Sequence, residues 1–187
     1  MSDFSKAIPI LLNHEGRFSN NPNDPGSYTN FGISLRFLKT HPEIGDVDED
    51  GDVDAEDIYA MTAERASKIY KELWWDKYKY GNIVDQTIAT KVFDASVNMG
   101  SSRAHKLLQS ALNKAFGLKL TVDGILGPAT MSVINACSDD KEQRLLTAFC
   151  DELWGFYQRI IARNPKLKVF ERGWKNRAYS LSKANIM

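Results

Sequence analysis

Three side chains near the N-terminus have types and spacing suited to acid–base chemistry. Glu15 ends an apolar run at helical spacing and precedes Gly16, a common helix stop. Asp24 follows nine positions later in the Asn-Asp-Pro-Gly turn of residues 23–26, and Thr29 comes next. Glycoside hydrolysis uses such a set, because an acid protonates the leaving oxygen while a carboxylate, sometimes helped by a hydroxyl, handles water or the oxocarbenium ion. The alternative is that Glu15 is a solvated surface residue and Asp24 only bonds its own turn.

The predicted position of Glu15 favours a carboxyl group that keeps its proton. Phe4, Ile8, Leu11 and Leu12 predict a helix that Glu15 terminates. Backbone carbonyls at a helix C-terminus disfavour a negative charge by roughly 0.3–1 kcal/mol. Because a general acid must be protonated to act, this site suits that role.

The motifs around these residues resemble the N-terminal signature of glycoside hydrolase family 108, a family of phage and bacterial muramidases. They are His-Glu-Gly at residues 14–16, Asn-Asp-Pro-Gly at 23–26 and Thr-Asn-Phe-Gly-Ile at 29–33. Arg17 and Ser27 stand where the family usually has a second glycine. The resemblance implies that Glu15 is the general acid and that Asp24 and Thr29 place and activate water. Four further residues are assigned to substrate binding: Tyr28, Asn30, Trp74 and Asn98.

Residues 46–57, which we call the acidic loop, have the ligand spacing of an EF-hand calcium loop. Carboxylates occupy loop positions 1, 3, 5, 9 and 12, with a glycine at position 6 and an apolar residue at position 8. The predicted metal ligands are Asp46, Asp48, Asp50, Asp52 (through its carbonyl), Asp54 and Asp57. Asp57 replaces the usual glutamate, as in dockerin loops. We predict a structural Ca²⁺; the alternative is a solvated acidic loop whose carboxylates would repel one another.

Composition predicts a globular protein of one core or two small lobes. The chain has 187 residues, of which 43% are hydrophobic and 26% charged. No apolar run approaches the length of a membrane span, and Met1–Lys6 lacks the features of a signal peptide. We therefore expect the protein to start in the host bacterial cytoplasm and, after release, to act on the cell wall in the periplasm.

The zero net charge hides a separation of charge. Residues 43–57 hold nine acidic and no basic residues, whereas residues 159–187 hold eight basic and one acidic. A basic body suits an anionic partner, here bacterial peptidoglycan, and the basic C-terminal tail suits contact with the anionic envelope. No nucleic-acid recognition motif accompanies the charge. We expect a monomer, with Cys137 and Cys150 as free thiols.

The pattern of the whole chain predicts a mainly α, lysozyme-like body with a small β-hairpin between Arg17 and Ile33. We divide it into a catalytic lobe (1–92), which includes the acidic loop, and a second helical lobe (93–187). In the second lobe, Val-Asp-Gly-Ile-Leu-Gly-Pro at residues 122–128 resembles small peptidoglycan-binding modules. Gly-Trp-Lys-Asn-Arg at 173–177 resembles the ending of family 108, and Asp94 is predicted to be structural.

The resemblance implies a muramidase that cleaves the β-1,4 bond between N-acetylmuramic acid and N-acetylglucosamine, in the manner of a phage endolysin. Analogy with phage lysozymes favours an inverting route. A wall-binding module with an inactive site and a lytic transglycosylase remain as alternatives. A calcium-dependent scaffold would need paired EF-hand loops or a Met-rich groove, and the sequence contains neither.

Overall fold

The computed structural model describes residues 1–16, 18–20, 28–137 and 140–181. The chain forms two compact units. The first unit is Phe4–Lys77, and the second joins Met1–Asp3 to Tyr78–Met187. Both are built mainly from helices, and the β-structure of the described residues is one small sheet in the first unit, which confirms the predicted fold class. The predicted division at residues 92 and 93 stays a prediction.

The first unit consists of helices and a small antiparallel sheet, which lies between α1 and α2 in the chain. Its elements are α1 (Phe4–Glu15), β1 (Ser19–Asn20), β2 (Tyr28–Asn30), β3 (Ile33–Ser34), α2 (Leu35–Lys39), α3 (Pro42–Gly45), α4 (Ala55–Ala60), α5 (Ala63–Tyr70) and a π-helical turn (Lys71–Asp76). The strand order is β1-β2-β3, with Thr29 opposite both Ser19 and Ser34. The core of this unit contains Leu11, Leu38, Ile58 and Ile69, all nearly inaccessible to solvent.

Local sequence explains where these helices begin. Ser34 caps α2 by accepting a hydrogen bond from the backbone N–H of Phe37 at 3.2 Å. Thr62 caps α5 by accepting a hydrogen bond from the N–H of Arg65 at 3.1 Å. Helix α5 is α-helical to Tyr70, and the chain continues from Lys71 as the π-helical turn.

The second unit is a bundle around a buried helix. Its elements are a 3₁₀ turn (Tyr80–Asn82), α6 (Gln86–Met99), α7 (Ser101–Phe116), α8 (Pro128–Asn135), α9 (Asp140–Arg163), a second 3₁₀ turn (Pro165–Phe170) and α10 (Glu171–Tyr179). Gly117 follows α7 in the left-handed conformation, and Pro128 is the first residue of α8, two positions that suit these residue types. The two residues before α9, Ser138 and Asp139, lie outside the described residues.

Helix α6 is buried on more sides than its apolar spacing predicts. Every residue from 88 to 96 is buried, including Lys91 and Asp94. The Lys91 ammonium donates to the carbonyls of Arg177 at 2.6 Å and Ser180 at 2.9 Å, and burial lowers its pKa. Asp94 accepts from Arg177 Nη2 at 2.9 Å and from its Nε at 3.2 Å. Asp94 therefore holds α10 onto α6, in line with its predicted structural role.

Aromatic contacts join the C-terminal segment to α9. Trp174 stacks on Tyr157 with ring centroids 5.2 Å apart, and Phe170 stacks on Trp174 at 5.6 Å. The Tyr179 hydroxyl donates to Asp151 Oδ1 at 2.8 Å. Cys150 is buried and Cys137 half-buried, and both are free thiols. Within the described residues, no helix is both long and apolar enough to span a membrane.

Candidate active site

Glu15 is the last residue of α1, as the sequence predicts, and it lies directly against the turn between β2 and β3. A Cβ atom built on Gly32 of that turn would lie 2.7 Å from Glu15 Cβ, 2.7 Å from its Oε2 and 2.8 Å from its Cγ. Such separations are too short for any side chain, so only glycine fits here. Glycine thus lets the backbone of the turn form a wall against the Glu15 carboxyl group.

The turn that faces Glu15 is a strained β-hairpin connection. Its two central residues both have positive φ, 50° at Phe31 and 79° at Gly32, as a type I′ turn requires. Phe31 is a bulky residue in a conformation that costs it roughly 1–2 kcal/mol. The Tyr70 hydroxyl donates to the Phe31 carbonyl at 2.9 Å, and this hydrogen bond attaches the turn to the end of α5. Strain of this kind is common where a reactive group has to be held in place.

The other two predicted catalytic residues have different outcomes. Thr29 lies in β2, three residues before Gly32, with a half-buried side chain. Asp24 lies outside the described residues, as do Arg17 and Ser27. The structure therefore brings Glu15 and the β2–β3 hairpin together, and the role of Asp24 stays a prediction.

Asn30 connects the sheet to α4. Its side chain is 9% exposed, and its Nδ2 donates to the carbonyls of Ile58 at 3.1 Å and Met61 at 3.2 Å. These two bonds use both amide hydrogens of the side chain. Asn30 therefore has a structural role, and only its Oδ1 is left to contact a substrate. Its assignment to substrate binding stays a prediction.

Tyr28 belongs to an exposed aromatic cluster that the sequence did not reveal. Its ring packs edge-on against Tyr59 of α4 with centroids 5.8 Å apart, and Phe18 packs on Tyr59 at 5.3 Å. Phe18 is 44% exposed and Tyr59 58% exposed. We call these three residues the aromatic platform. A contiguous cluster of exposed aromatic rings is a candidate binding surface.

The remaining two substrate-binding candidates lie in different units. Trp74 belongs to the first unit and is half-buried between Phe37 and Tyr70, with ring centroids 5.5 Å from each. These contacts show that Trp74 packs within the aromatic core of the first unit. Asn98 lies in α6 of the second unit, where its Oδ1 accepts a hydrogen bond from the Tyr157 hydroxyl at 2.6 Å. Both assignments stay predictions.

The acidic loop is closed around the side chain of its last residue. Asp57 is 1% exposed, and its Oδ1 accepts from the N–H of Val47 and, at 3.4 Å, from that of Asp48. Its Oδ2 accepts from the N–H of Asp54 at 2.7 Å, and Asp54 in turn accepts from Glu56, so the pair forms a capping box for α4. Asp57 thus ties both ends of the loop to the start of α4.

The carboxylates of the loop form two groups that could hold a cation. One oxygen each of Asp46, Asp48 and Asp50 lie within 4.8 Å of one another, and so do those of Asp52, Asp54 and Asp57. Their proximity has an electrostatic effect, since the Asp50 carboxylate is the largest cause of the raised pKa of Asp52. Asp46 Oδ1 is buried without a hydrogen-bond partner among the described residues. A buried carboxylate oxygen without a hydrogen-bond partner, within a cluster of acidic residues, is suited to coordinate a divalent cation.

Comparison with protein-family models covers most of the chain. Residues 8–100 match the family described as Glycosyl hydrolase 108, and residues 103–179 match the family described as Predicted Peptidoglycan domain. The chain is therefore a lysozyme-like glycoside hydrolase that acts on peptidoglycan, so its place of action is the cell wall. The family resemblance drawn from the sequence motifs is therefore confirmed. No curated protein matches the sequence.

A solved structure shares the fold. The chain titled "Structure of Brucella abortus SagA" aligns with a TM-score of 0.71 at 24% sequence identity. The alignment covers 98% of this chain and 98% of that one. At this identity the similarity establishes the fold alone.

Proposed function

We propose that the protein is an N-acetylmuramidase that cleaves the β-1,4 bond between N-acetylmuramic acid and N-acetylglucosamine. The observation that carries the proposal is the Glu15 carboxyl group at the end of α1, held against Gly32 of the hairpin. Glu15 protonates the glycosidic oxygen of the leaving sugar. Asp24 and Thr29 place and activate the water that attacks the anomeric carbon from the opposite face, which gives inversion.

The aromatic platform supports binding of a glycan in the first unit. Tyr59 and Phe18 present apolar ring faces to solvent, and sugar rings have apolar C–H faces that can lie on them. Tyr28 connects this surface to β2, the strand that also carries Thr29. We therefore assign the aromatic platform to the glycan strand.

The proposal is tested by the products released from purified peptidoglycan. Wild type and Glu15→Gln are incubated with sacculi, and the fragments are reduced with borohydride and identified by mass spectrometry. Reducible muramic acid ends from wild type alone support the muramidase and the role of Glu15. Anhydro ends would instead establish a lytic transglycosylase. Sacculus binding without fragments from either protein would establish a binding module.

We also propose that the acidic loop binds Ca²⁺ for a structural purpose. Asp46, Asp48, Asp50, Asp54 and Asp57 would supply carboxylate oxygens and Asp52 its carbonyl. The bound ion would offset the repulsion among these carboxylates. Because Asn30 joins α4 to β2, a stable loop also supports the sheet that carries Thr29.

Calcium binding is measured by calorimetric titration and by thermal unfolding. A ligand at 100 times its Kd adds about 2.7 kcal/mol to the free energy of unfolding, so Ca²⁺ should raise the Tm of wild type and EDTA should lower it. The double variant Asp48→Asn/Asp50→Asn should lose the heat of binding and the shift in Tm. If wild type shows neither heat nor shift, the loop is only a solvated acidic segment.

We further propose contact between the basic C-terminal tail and the anionic envelope during lysis by an endolysin-type route. Val169 is 79% exposed and Phe170 51% exposed, with the exposed lysines Lys166 and Lys168 in the same 3₁₀ turn. Apolar and basic side chains on one turn suit an anionic surface. Co-sedimentation with anionic vesicles, compared with neutral ones, measures this contact.

A further inference from the structure

We propose that a cavity beside the start of α7 binds the carboxylate groups of the peptidoglycan stem peptide. This inference rests on the proposed function, since it names the part of the same polymer that the second unit would bind. The cavity measures about 690 Å³ and lies in the second unit. We call it the α7 cavity; the lining residues that matter here are Ser101, Ser102, Arg103, Lys106, Ser110 and Glu152.

The α7 cavity carries an excess of positive charge. Arg103 and Lys106 are exposed, and neither forms a salt bridge with any described residue. The acid in the lining, Glu152, is already paired with Lys114, which lies outside the lining. An anion in the cavity would therefore meet two cations, of which Lys106 also interacts electrostatically with Asp123, next to the lining residue Val122.

The guanidinium of Arg103 is held in place from one side. Its Cζ lies 4.9 Å from the centre of the Phe156 ring, a cation–π distance. Stacking of this kind leaves the edge of the guanidinium free to form paired hydrogen bonds with a carboxylate. The hydroxyls of Ser102 and Ser110 add neutral donors to the same lining, whereas the Ser101 hydroxyl is hydrogen-bonded to Tyr80.

The rim of the cavity is rigid because the loop at 122–125 is fixed to α7. A Cβ on Gly124 would lie 2.8 Å from the Ser102 carbonyl oxygen, so the loop can approach this closely only with glycine. Buried Gln109 donates to Asp123 Oδ1 at 2.8 Å and to the Ile125 carbonyl at 3.1 Å. The same side chain accepts from the N–H of Gly124 at 2.8 Å. A preformed rim lowers the entropy lost when a ligand binds.

His105 completes the attachment of this loop. Its Nδ1 donates to the Gly124 carbonyl at 2.9 Å, and its Nε2 lies 2.8 Å from the Tyr80 hydroxyl. Burial lowers the pKa of His105, in keeping with a neutral ring that donates at Nδ1 and accepts at Nε2. This network extends to Ser96 of α6, whose Oγ lies 2.6 Å from the Tyr80 hydroxyl. The loop is thus tied through α7 to the buried core.

The charge of the cavity selects one component of the polymer. The alternating sugars of a peptidoglycan strand are neutral where the lactyl group is amide-linked to the peptide, and the free carboxylates belong to the stem peptide. A guanidinium and an ammonium therefore match the stem peptide and gain little from the amide-linked sugars. On a strand that carries peptides, the α7 cavity would bind the peptide, whereas the aromatic platform binds the sugars.

The test compares two soluble probes in a protein that cannot hydrolyse them. Calorimetry on the Glu15→Gln variant measures Kd for a disaccharide-tetrapeptide and for the same disaccharide with its lactyl carboxyl group capped as a simple amide, so that the second probe is neutral. We expect Arg103→Met/Lys106→Met to weaken binding of the tetrapeptide probe by about tenfold or more, the effect of losing charge-assisted hydrogen bonds. Lys119→Met, which removes an exposed cation outside the cavity lining, should leave both affinities unchanged.

The outcomes separate failure of the inference from failure of the proposed function. Unchanged binding of the tetrapeptide probe by the double variant would overturn the role of the cavity, and so would an equal loss for both probes. Failure of the unmodified Glu15→Gln protein to bind intact sacculi would instead contradict the proposed function. Circular dichroism of the double variant checks that it is folded.

Discussion

Substitution of Gly32 by alanine tests whether the hairpin positions Glu15. The new Cβ would start 2.7 Å from Glu15 Cβ, whereas carbon atoms in contact lie about 3.5–4.0 Å apart. The two groups must therefore separate by about 1 Å. Glu15 Cβ is attached to the end of α1, so a side-chain rotation cannot remove this clash. Either the helix end or the turn has to move.

Two effects of this substitution have different sizes. Alanine at a φ of 79° costs about 1–2 kcal/mol of stability, because the left-handed region disfavours a Cβ. A displacement of about 1 Å in a catalytic group lowers the rate by about 100-fold. We therefore expect Gly32→Ala to remain folded at room temperature while its activity on peptidoglycan falls by about two orders of magnitude.

A matched control separates these effects. Gly117 has a φ of 66°, and a Cβ built there would meet nothing within 4 Å. In urea titration, Gly117→Ala should thus show a decrease in the free energy of unfolding similar to the conformational cost in Gly32→Ala. Its rate of sacculus hydrolysis should equal that of wild type. If Gly32→Ala retained activity equal to that of Gly117→Ala, the hairpin would not position Glu15, and the proposed site would need revision.

Two further predictions concern the second unit. Burial lowers the pKa of His105 below its usual 6.5, so the unfolded state binds the proton more readily than the folded state. The free energy of unfolding should therefore decrease as pH falls through and below 6.5. His105→Gln should flatten this dependence in urea titrations at a series of pH values, and an unchanged slope would contradict the assignment. Arg177→Met should lower the free energy of unfolding by about 3–5 kcal/mol, because it removes the guanidinium that pairs with the buried Asp94 carboxylate. Asp94→Asn in the same chain should recover part of that loss. Equal stability of the single variant and wild type would refute the role of the pair.

The amino-acid sequence by itself determined features that depend on near neighbours in the chain. Thr62, Gly117 and Pro128 mark helix ends because caps, left-handed glycine and the missing N–H of proline act within one turn. The spacing of acids in the acidic loop and the position of Glu15 at a helix end are local in the same sense. These patterns were sufficient for the fold class and for the family.

Tertiary structure alone decided which distant residues meet. Glu15 and Gly32 are 17 positions apart, and no periodicity relates them; their contact depends on how the hairpin packs on α1. No spacing pattern in the sequence distinguishes Tyr59, and its position beside Tyr28 follows from packing. The buried ion pair of Asp94 with Arg177 joins residues 83 positions apart. Such contacts follow from the packing of whole elements, which the spacing of residues along one element does not specify.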